Sequence, residues 1–390
     1  MKRLLCLICL LCLLPLCAVQ GDPLGFGFVN ANKVALRKEP GGKRLHRLDR
    51  DTCVWISDSR TDREGTLWYK INAGVHENHT NYDFSGWMMA QYIVAGDDLW
   101  HDVASVSANR LGMIALRTDG TVETAGRPIV SKDGSAWVSV RGWADGYRDV
   151  RQVGVLPFLD YFLLTRDGRY VRAVNANPSL STTALRLVSG DIPFPALTYD
   201  SRLVYGDGGG LTITWLHPQH EPDAAALAHV VQIDGNQSLF LLRTDDGRLF
   251  AARFASASYP DTLSDWESWT GLTGISTETC LAAGSMQYEC ALYAGVRQDG
   301  TVLAAPEKLA ALVSGWDDMA DVQLAPTYVL GLRRDGTVLS ASVNGDFAPD
   351  VSAWRDITAI AAADDYCVGV RSDGTLVFAG EHIFMREGHS

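Results

Sequence analysis

The chain is poor in positive charge. Its 390 residues carry 34 Lys and Arg against 46 Asp and Glu, a formal net charge of −12. A duplex nucleic-acid binder needs a basic face to displace counterions, and anionic lipid attracts clustered Lys and Arg. The balance therefore argues against both kinds of partner. The hydrophobic content of 47% excludes a disordered or fibrous chain.

Long apolar runs are also scarce, and the one present stands at the N-terminus. Lys2 and Arg3 precede an uncharged stretch over residues 4–19, which is shorter than the roughly 20 residues that a spanning helix needs. This order is typical of a secretory signal peptide, which we assign to residues 1–20. A lipoprotein site at Cys17 and an uncleaved anchor are the alternatives. We expect an exported protein, secreted or associated with the cell envelope, with no membrane span after cleavage.

Cysteine is sparse after the signal segment. Cys53, Cys280, Cys290 and Cys367 remain, without the CxxC spacing of a metal site. Cys280 and Cys290 are close enough in sequence to join one loop by a disulfide, which an exported protein can form. The alternative is that all four are small buried apolar residues.

Motifs for catalysis and metal binding are missing as well. The chain has no G-x-S-x-G segment, and its two pairs of histidines three residues apart lie outside helical patterns. We therefore expect no metal and no cofactor.

Three pairs of neighbouring aspartates have two interpretations. The pairs are Asp97-Asp98, Asp317-Asp318 and Asp364-Asp365. Two carboxylates that face each other can act as acid and base in glycoside cleavage. The alternative is that Asp317 and Asp318, which follow a repeated Trp, cap turns.

Residues 21–96 show short apolar segments separated by turns. The segments are 26–29, 34–37, 52–56, 67–71 and 86–89. Alternation of this kind suits strands. Five short strands predict a small β-barrel, because little else lets so short a region bury Trp55, Trp68 and Trp87.

An ordered set of residues spans nearly all of this region. It consists of Val34, Leu36, Arg37, Pro40 and Gly41, then Trp68-Tyr69-Lys70-Ile71, Gly86-Trp87-Met88 and Tyr92-Ile93. In this set the region resembles the bacterial Src-homology-3-type domain. The resemblance implies a Src-homology-3-like barrel that binds peptidoglycan or its peptide stems. The segment from Asn72 to Phe84 is longer than the family's usual hairpin, and it would block or reshape a groove.

From residue 97 onward the chain repeats itself. Six segments share an apolar strand, an Asp-Gly turn and a second apolar strand: 114–126, 162–174, 240–253, 294–306, 330–342 and 368–380. A degenerate seventh copy lies at 195–208. Seven units in 294 residues average 42 residues each. This is the length of a four-stranded sheet with its turns.

The physics of one unit predicts how the copies assemble. Asp-Gly supplies the positive φ of a tight hairpin. Trp100, Trp316 and Trp354, which begin the segments upstream of three hairpins, are assigned to packing within the blades. A sheet of this size cannot bury both faces alone, so the copies must stack. Seven sheets arranged radially close into a propeller and hide their edges, whereas a β-solenoid is the alternative. We predict an all-β fold: a barrel over 21–96, then a seven-bladed β-propeller over 97–390.

The repeated Trp-x-Asp-Val, Ile-Ala and apolar-Arg-x-Asp-Gly-x-Val segments resemble the regulator-of-chromosome-condensation repeat family. The likeness is closer to its secreted bacterial branch, which includes β-lactamase inhibitory proteins. It covers about three quarters of the chain and implies a propeller, and inhibition of such an enzyme is implied by the resemblance alone. The family's trailing G-x-N-x-x-G-Q segment is missing from nearly every unit, and the blade register is irregular between about 175 and 230.

The loops just before the second strands differ between units. Equivalent loops converge at one end of a propeller, so we expect a rim whose aromatic residues anchor another protein. The rim residues are Asn109, Arg110, Phe158, Tyr161, Asn236, Gln237, Tyr288, Tyr328, Asp364, Asp365 and Tyr366. The alternative is that the tyrosines only fill gaps between blades.

The sequence thus predicts an exported, non-catalytic binding protein. Its barrel holds it at the cell envelope through peptidoglycan, and its propeller rim binds another extracellular or envelope protein. The alternative function is a propeller carbohydrate-active enzyme that acts on cell-wall or extracellular glycan, with Asp364 and Asp365 as the candidate acid and base.

Overall fold

A computed structural model describes most of the chain. The described residues are 25–77, 80–110, 112–126, 129–130, 137–138, 141, 147–156, 160–165, 170–174, 188–190, 197–198, 202–204, 210–215, 230–235, 239–254, 268–281, 288–345 and 347–382. Within these ranges the secondary structure is almost entirely β-strand, with one short α-helix, α1 (Glu307–Val313).

Residues 25–95 form one antiparallel sheet of seven strands, the N-terminal sheet. Its strands are β1 (Gly25–Val29), β2 (Val34–Arg37), β3 (Arg44–Leu48), β4 (Cys53–Thr61), β5 (Leu67–Glu77), β6 (Thr80–Met89) and β7 (Ile93–Ala95). The strand order is β3-β2-β6-β5-β4-β1-β7, so β3 and β7 are the two edges. Leu36, Ile56, Ile71 and Met88 belong to its own buried core. The alternating pattern found all the strands except β3, which is mostly basic, and the short β7.

Most of the remaining strands form meanders that we call blades 1 to 6. Blade 1 is β8 (Val103–Asn109), β9 (Gly112–Arg117) and β10 (Val122–Gly126), which β11 (Ile129–Val130) and β12 (Trp137–Val138) follow as a separate pair. Blade 2 is β13 (Val150–Leu156), β14 (Asp160–Thr165), β15 (Tyr170–Val174) and β16 (Val188–Gly190). Blade 3 is β17 (Leu197–Thr198), β18 (Arg202–Val204), β19 (Gly210–Trp215), β20 (Val230–Gly235), β21 (Leu239–Thr244) and β22 (Leu249–Phe254). Blade 4 is β23 (Leu272–Leu281), β24 (Tyr288–Arg297) and β25 (Val302–Ala305), and blade 5 is β26 (Met319–Leu324), β27 (Tyr328–Arg333) and β28 (Val338–Ser342). Blade 6 is β29 (Ile357–Ala362), β30 (Tyr366–Arg371) and β31 (Leu376–Gly380).

The degenerate repeat at 195–208 differs from its prediction. Its strands β17 and β18 do not make a sheet of their own, because β19 pairs with β22 and attaches them to blade 3. This copy has Asp200-Ser201 where the others have Asp-Gly, so it lacks the residue that sets the tight turn. The number seven for the whole ring stays a prediction, since most residues between 175 and 229 lie outside the described ranges.

The Asp-Gly turns have the geometry that the sequence predicted. Gly120 has φ +81°, and the Asp119 carboxylate accepts hydrogen bonds from the Thr121 backbone N–H (2.9 Å) and hydroxyl (2.7 Å). The same pattern recurs at Asp299, Asp335 and Asp373. These bonds lower the pKa of all four carboxyl groups. The turn aspartates are therefore structural.

Four junctions between neighbouring blades use the turn glycine in the same way. The first strand of the next blade donates a backbone N–H to that glycine's carbonyl oxygen: Val150 to Gly120 (3.2 Å), Leu272 to Gly247 (3.1 Å), Met319 to Gly300 (3.0 Å) and Ile357 to Gly336 (3.0 Å). The residue before each donor has a positive φ, and it is Asp149, Gly271, Asp318 or Asp356.

The same contact joins the last blade to the first. The Val103 N–H of blade 1 donates to the Gly374 carbonyl of blade 6 over 2.9 Å, and Asp102 has φ +55°. Side chains of blade 1, such as Met113, share one buried core with Val368 of blade 6. The ends of a solenoid lie apart, so this contact excludes that alternative and shows the closed order of a β-propeller.

The N-terminal sheet packs on this closing junction. Phe26 and Trp55 belong to the same core as Trp100 of the segment before blade 1 and Phe378 of blade 6. The Trp100 indole N–H donates to the Phe26 carbonyl over 3.0 Å. The two regions that the sequence separated therefore share one hydrophobic core.

Candidate functional site

The predicted tyrosine rim is wrong for three of its members. Tyr161, Tyr328 and Tyr366 have exposed fractions of 1%, 0% and 0%. They lie at the start of second strands, where the neighbouring blade covers them. A partner protein cannot reach these rings, and the alternative interpretation, that they fill the gaps between blades, is confirmed for them.

Each of these hydroxyl groups crosses a blade boundary. The Tyr328 hydroxyl donates to the Ala363 carbonyl (2.7 Å), and the Tyr366 hydroxyl donates to the Asn109 carbonyl (3.1 Å). The Tyr161 hydroxyl reaches the Ala125 carbonyl at 3.4 Å. Burial raises the pKa of Tyr328 and Tyr366 well above the usual value, so both remain neutral donors. Buried tyrosines commonly find such a partner.

The polar part of the predicted rim stays at the surface. Arg110 is exposed, whereas Asn109, Asp364 and Asp365 are half-buried. These residues lie in the corresponding loops of blades 1 and 6, which the closed ring makes neighbours. Phe158, Asn236 and Gln237 lie outside the described residues, and so does the side chain of Tyr288.

The pair Asp317-Asp318 serves the turn that precedes blade 5. Asp317 accepts a hydrogen bond from Arg333 and Asp318 accepts one from Arg334, each over 3.0 Å. Asp318 also has φ +56° at the blade junction. This agrees with the structural interpretation of the pair. Asp97 and Asp98 belong to a short 3₁₀ turn over Gly96–Asp98.

The Trp-led segments pack as predicted, and the structure adds one that the sequence analysis missed. Trp316 and Trp354 lie against Gly331 and Gly369 of their own blades, where a Cβ would come within 2.4 and 2.8 Å of the indole rings. Trp269 is buried in the same way before blade 4. The signal for it was the spacing Trp269-Thr270-Gly271, in which glycine stands where the other segments have aspartate.

First-strand side chains join the blades in a way that the sequence analysis also missed. The hydroxyl of Ser107 accepts the Val155 N–H (3.1 Å) and that of Ser276 accepts the Leu324 N–H (3.0 Å). Asp234 uses its carboxylate for the corresponding bond to the Thr277 N–H (2.8 Å). A short polar residue at the fifth position of the first strand would have indicated this contact.

A polar cluster spans blades 3, 4 and 5 at these first strands. Gln232 accepts a hydrogen bond from Arg243 (3.0 Å), and Asp321 accepts bonds from the Val322 N–H (2.8 Å) and the Gln323 amide (3.2 Å). Burial raises the pKa of Asp321 from 3.8 to about 6; Asp234 adds to the rise and Arg243 opposes it. The cluster is a candidate for proton-dependent behaviour.

We expect Asp321→Asn to change how stability depends on pH. The pKa of Asp321 is higher in the folded state, so the folded chain binds the proton more tightly and the free energy of unfolding falls as pH rises from about 4 through 6. The variant should remove a fall on the order of 2 kcal/mol. Urea unfolding between pH 4 and 7.5 measures it.

Asp350→Asn is the control for this experiment. The Asp350 carboxylate is exposed, its hydrogen bonds with Ser352 lower its pKa, and its stabilisation is lost as pH falls. The two variants should therefore change the pH dependence of the free energy of unfolding in opposite directions. An unchanged pH profile for Asp321→Asn would contradict the assignment.

The N-terminal sheet carries the exposed apolar side chains. Among the described residues the exposed large hydrophobic side chains are Leu45 (47%), Leu67 (38%) and Tyr82 (42%), all in this sheet. Tyr82 stacks on Phe84 with ring centroids 6.1 Å apart, and Phe84 stacks on His46 at 4.0 Å. We call His46, Phe84 and Tyr82 the aromatic stack.

Comparisons with known proteins define no family. No protein-family model matches the chain, and no curated protein matches it in sequence. Similar solved structures include human WBSCR16, with 12% identity and a TM-score of 0.37 over 93% of this chain and 100% of that one. The CRINKLY WD40 ectodomain of the Arabidopsis thaliana receptor kinase ACR4 is similar with 8% identity and a TM-score of 0.36, over 92% of this chain and 97% of that one. Yeast RCC1 (Prp20), solved with Kap60, is another, with 10% identity and a TM-score of 0.28 over 93% of this chain and 90% of that one. Because identities and TM-scores are this low, the description of the fold rests on the chain's own contacts.

The described part of the chain contains neither a metal-binding cluster nor a membrane-spanning helix. No group of three or more His, Cys, Asp and Glu side chains there could hold a metal ion. Its helices include none with the length and apolar character required to cross a bilayer.

Proposed function

We propose that the chain is an exported, non-catalytic binding protein with two binding regions. The N-terminal sheet, as a Src-homology-3-type barrel, holds the molecule at the cell envelope by binding peptidoglycan. The ring of blades, as a seven-bladed propeller of regulator-of-chromosome-condensation-like repeats, binds another protein at its loop end. The signal peptide over residues 1–20 directs export.

The aromatic stack is the observation that supports envelope binding. Its rings lie on the long β5–β6 hairpin and on β3, and Tyr82 is open to solvent. Exposed stacked rings present flat apolar faces to a ligand at little entropic cost. On β3 and the β5–β6 hairpin, the side chains of Leu45 and Tyr82 are exposed.

A sedimentation assay with insoluble peptidoglycan tests this binding. The purified mature chain should co-sediment, and Tyr82→Ala combined with Phe84→Ala should reduce the bound fraction about tenfold. Leu67→Ala is the matched control, because Leu67 is an exposed apolar residue outside the stack. Equal binding by all three proteins would argue against the stack as the site.

The surface loops of blades 1 and 6 support protein binding by the propeller. Arg110, Asp364 and Asp365 combine both charge signs on neighbouring loops, as is common around the edge of a protein interface. Charge reversal at Arg110 and Asp364 should abolish capture of a partner by the full mature chain, whereas Lys308→Glu on α1 should not. Unchanged capture would place the partner elsewhere.

The same proteins distinguish binding from catalysis. The non-catalytic proposal expects no soluble glycan when the mature chain is incubated with cell-wall glycan. Robust release that Asp364→Asn with Asp365→Asn removes would establish the carbohydrate-active enzyme instead.

We also expect a disulfide between Cys280 and Cys290. The two are Cα partners in the pairing of β23 with β24. Opposed residues of antiparallel strands have Cα atoms about 4.5–5.5 Å apart, within the range that a disulfide bridges. Mass spectrometry of a non-reduced digest of the exported protein should find the linked peptides.

Cys53 and Cys367 provide the internal comparison. Both are free and buried, and burial raises the pKa of Cys53 to about 12. Neither should react with iodoacetamide before unfolding, since the thiolate is the reactive form. Alkylation of Cys280 and Cys290 without reductant would disprove the linkage.

A further inference from the structure

The N-terminal sheet and the rest of the chain carry opposite net charge. Residues 25–95 hold ten Lys and Arg against eight Asp and Glu, a net charge of +2, whereas residues 96–390 hold 22 against 37, a net charge of −15. Within residues 33–50 there are seven basic residues and two acidic ones. This segment, which includes the β2–β3 hairpin, therefore carries a net charge of +5.

Strand β3 of this hairpin is an open edge of its sheet. It pairs with β2 on one side and has no strand on the other among the described pairings. Arg44, Leu45 and Arg47 are all exposed, and neither arginine forms an ion pair within the described chain. An edge of this kind presents backbone N–H and C=O groups that a further strand can pair with.

We propose that β3 is the docking edge for an extended acidic segment of a partner protein, which adds to the sheet as a further strand. Its backbone would pair with β3, its carboxylates would bind Arg44 and Arg47, and an apolar side chain would cover Leu45. Strand addition of this kind combines main-chain hydrogen bonds for affinity with side-chain contacts for specificity. The inference does not rest on peptidoglycan binding, because Arg44, Leu45 and Arg47 are not part of the aromatic stack.

The observations favour a peptide over the other anionic partners. A bilayer offers phosphate groups for the arginines but no backbone for the open edge. The −15 charge of the ring also opposes approach to an extended anionic surface. A second copy of this chain would bring the same basic strand to the edge, and like charges directly opposite each other destabilise a strand pair.

Fluorescence anisotropy on the full mature chain tests the proposal. The probe is a labelled ten-residue peptide that alternates Glu and Val, with a Lys-Val peptide as the charge control. Arg44→Glu with Arg47→Glu should weaken binding of the acidic peptide about tenfold, and Leu45→Ala should weaken it less. Arg63→Glu with Lys308→Glu makes the same change of net charge at exposed sites away from β3, and should bind nearly as the unaltered chain does.

Backbone methylation separates strand pairing from simple charge attraction. An acidic peptide with N-methyl groups on alternate residues should lose binding when the methyls lie on the pairing edge, and keep it when they lie on the other edge. Equal binding of the two methylated peptides would overturn strand addition. Binding to phosphatidylglycerol vesicles without binding to the acidic peptide would overturn the proposal in favour of a lipid surface. Loss of peptide binding in the Arg63→Glu and Lys308→Glu control would show that binding depends only on the net charge of the chain.

Discussion

Gly374→Ala is expected to lower the free energy of unfolding by about 3–4 kcal/mol. Gly374 has φ +81°, which costs an alanine roughly 1 kcal/mol. A Cβ there would also lie 2.8 Å from the Asp102 Cα and 2.9 Å from the Asp102 N, both backbone atoms of blade 1. Backbone atoms cannot move away without distorting the chain, so the rest of the lost stability comes from the contact that closes the ring. Urea unfolding of the mature chain measures the change.

Two further glycines make this test decisive. Gly345→Ala has the same conformational cost at φ +88° but meets nothing within 4 Å, so it should lose only about 1 kcal/mol. Gly336→Ala meets backbone atoms at an internal junction, the Ile357 N at 3.0 Å and the Asp356 Cα at 3.1 Å. In a closed ring Gly374→Ala behaves like Gly336→Ala. If it behaved like Gly345→Ala, blades 1 and 6 would not be in contact in solution.

Trp55→Ala is expected to destabilise the ring as well as the sheet in which Trp55 lies, by about 4 kcal/mol. Trp55 is fully buried, and its ring centroid is 5.2 Å from that of Tyr366 and 5.7 Å from that of Phe378, both in blade 6. Phe26 packs edge-on against it at 5.0 Å. Loss of the indole opens a cavity at the junction where the ring closes.

Hydrogen exchange shows where the stability is lost. Trp55→Ala should increase exchange in β9, β30 and β31, whereas Trp68→Ala should increase it mainly within the N-terminal sheet. Trp68 is also buried, but its indole bonds to Asp62 of the same sheet. Unchanged exchange in the ring after Trp55→Ala would show that the sheet and the ring are independent units.

The tyrosines show where reasoning from the sequence failed. Tyr328 and Tyr366 precede apolar strands in loops that vary between units, which is also the pattern of a binding rim. Their burial comes from neighbouring blades, in which Tyr328 bonds to Ala363, 35 positions away, and Tyr366 bonds to Asn109, 257 positions away. The period of a strand tells which side chains share a face, but it does not tell what covers that face.

The N-terminal region shows the opposite case. Its alternation and its tryptophans predicted most of its strands, because a pleated strand with one buried face must alternate. Strand β3 was missed because Arg44 and Arg47 hide the pattern. Nothing in the local sequence indicated that Phe26 and Trp55 face the ring, since both would equally suit the core of a separate barrel.

By itself the sequence determined the local units: hairpins with glycine at positive φ, capping aspartates and packed Trp segments. Such features arise from contacts within a few residues, so a short stretch is enough to specify them. Only the tertiary structure decided that the last blade meets the first, that tyrosines lie between blades, and that the N-terminal sheet covers the closing junction. These contacts join residues well separated in the sequence, such as Tyr328 and Ala363 (35 positions) or Tyr366 and Asn109 (257 positions). They depend on how complete sheets fit together, which no local pattern records.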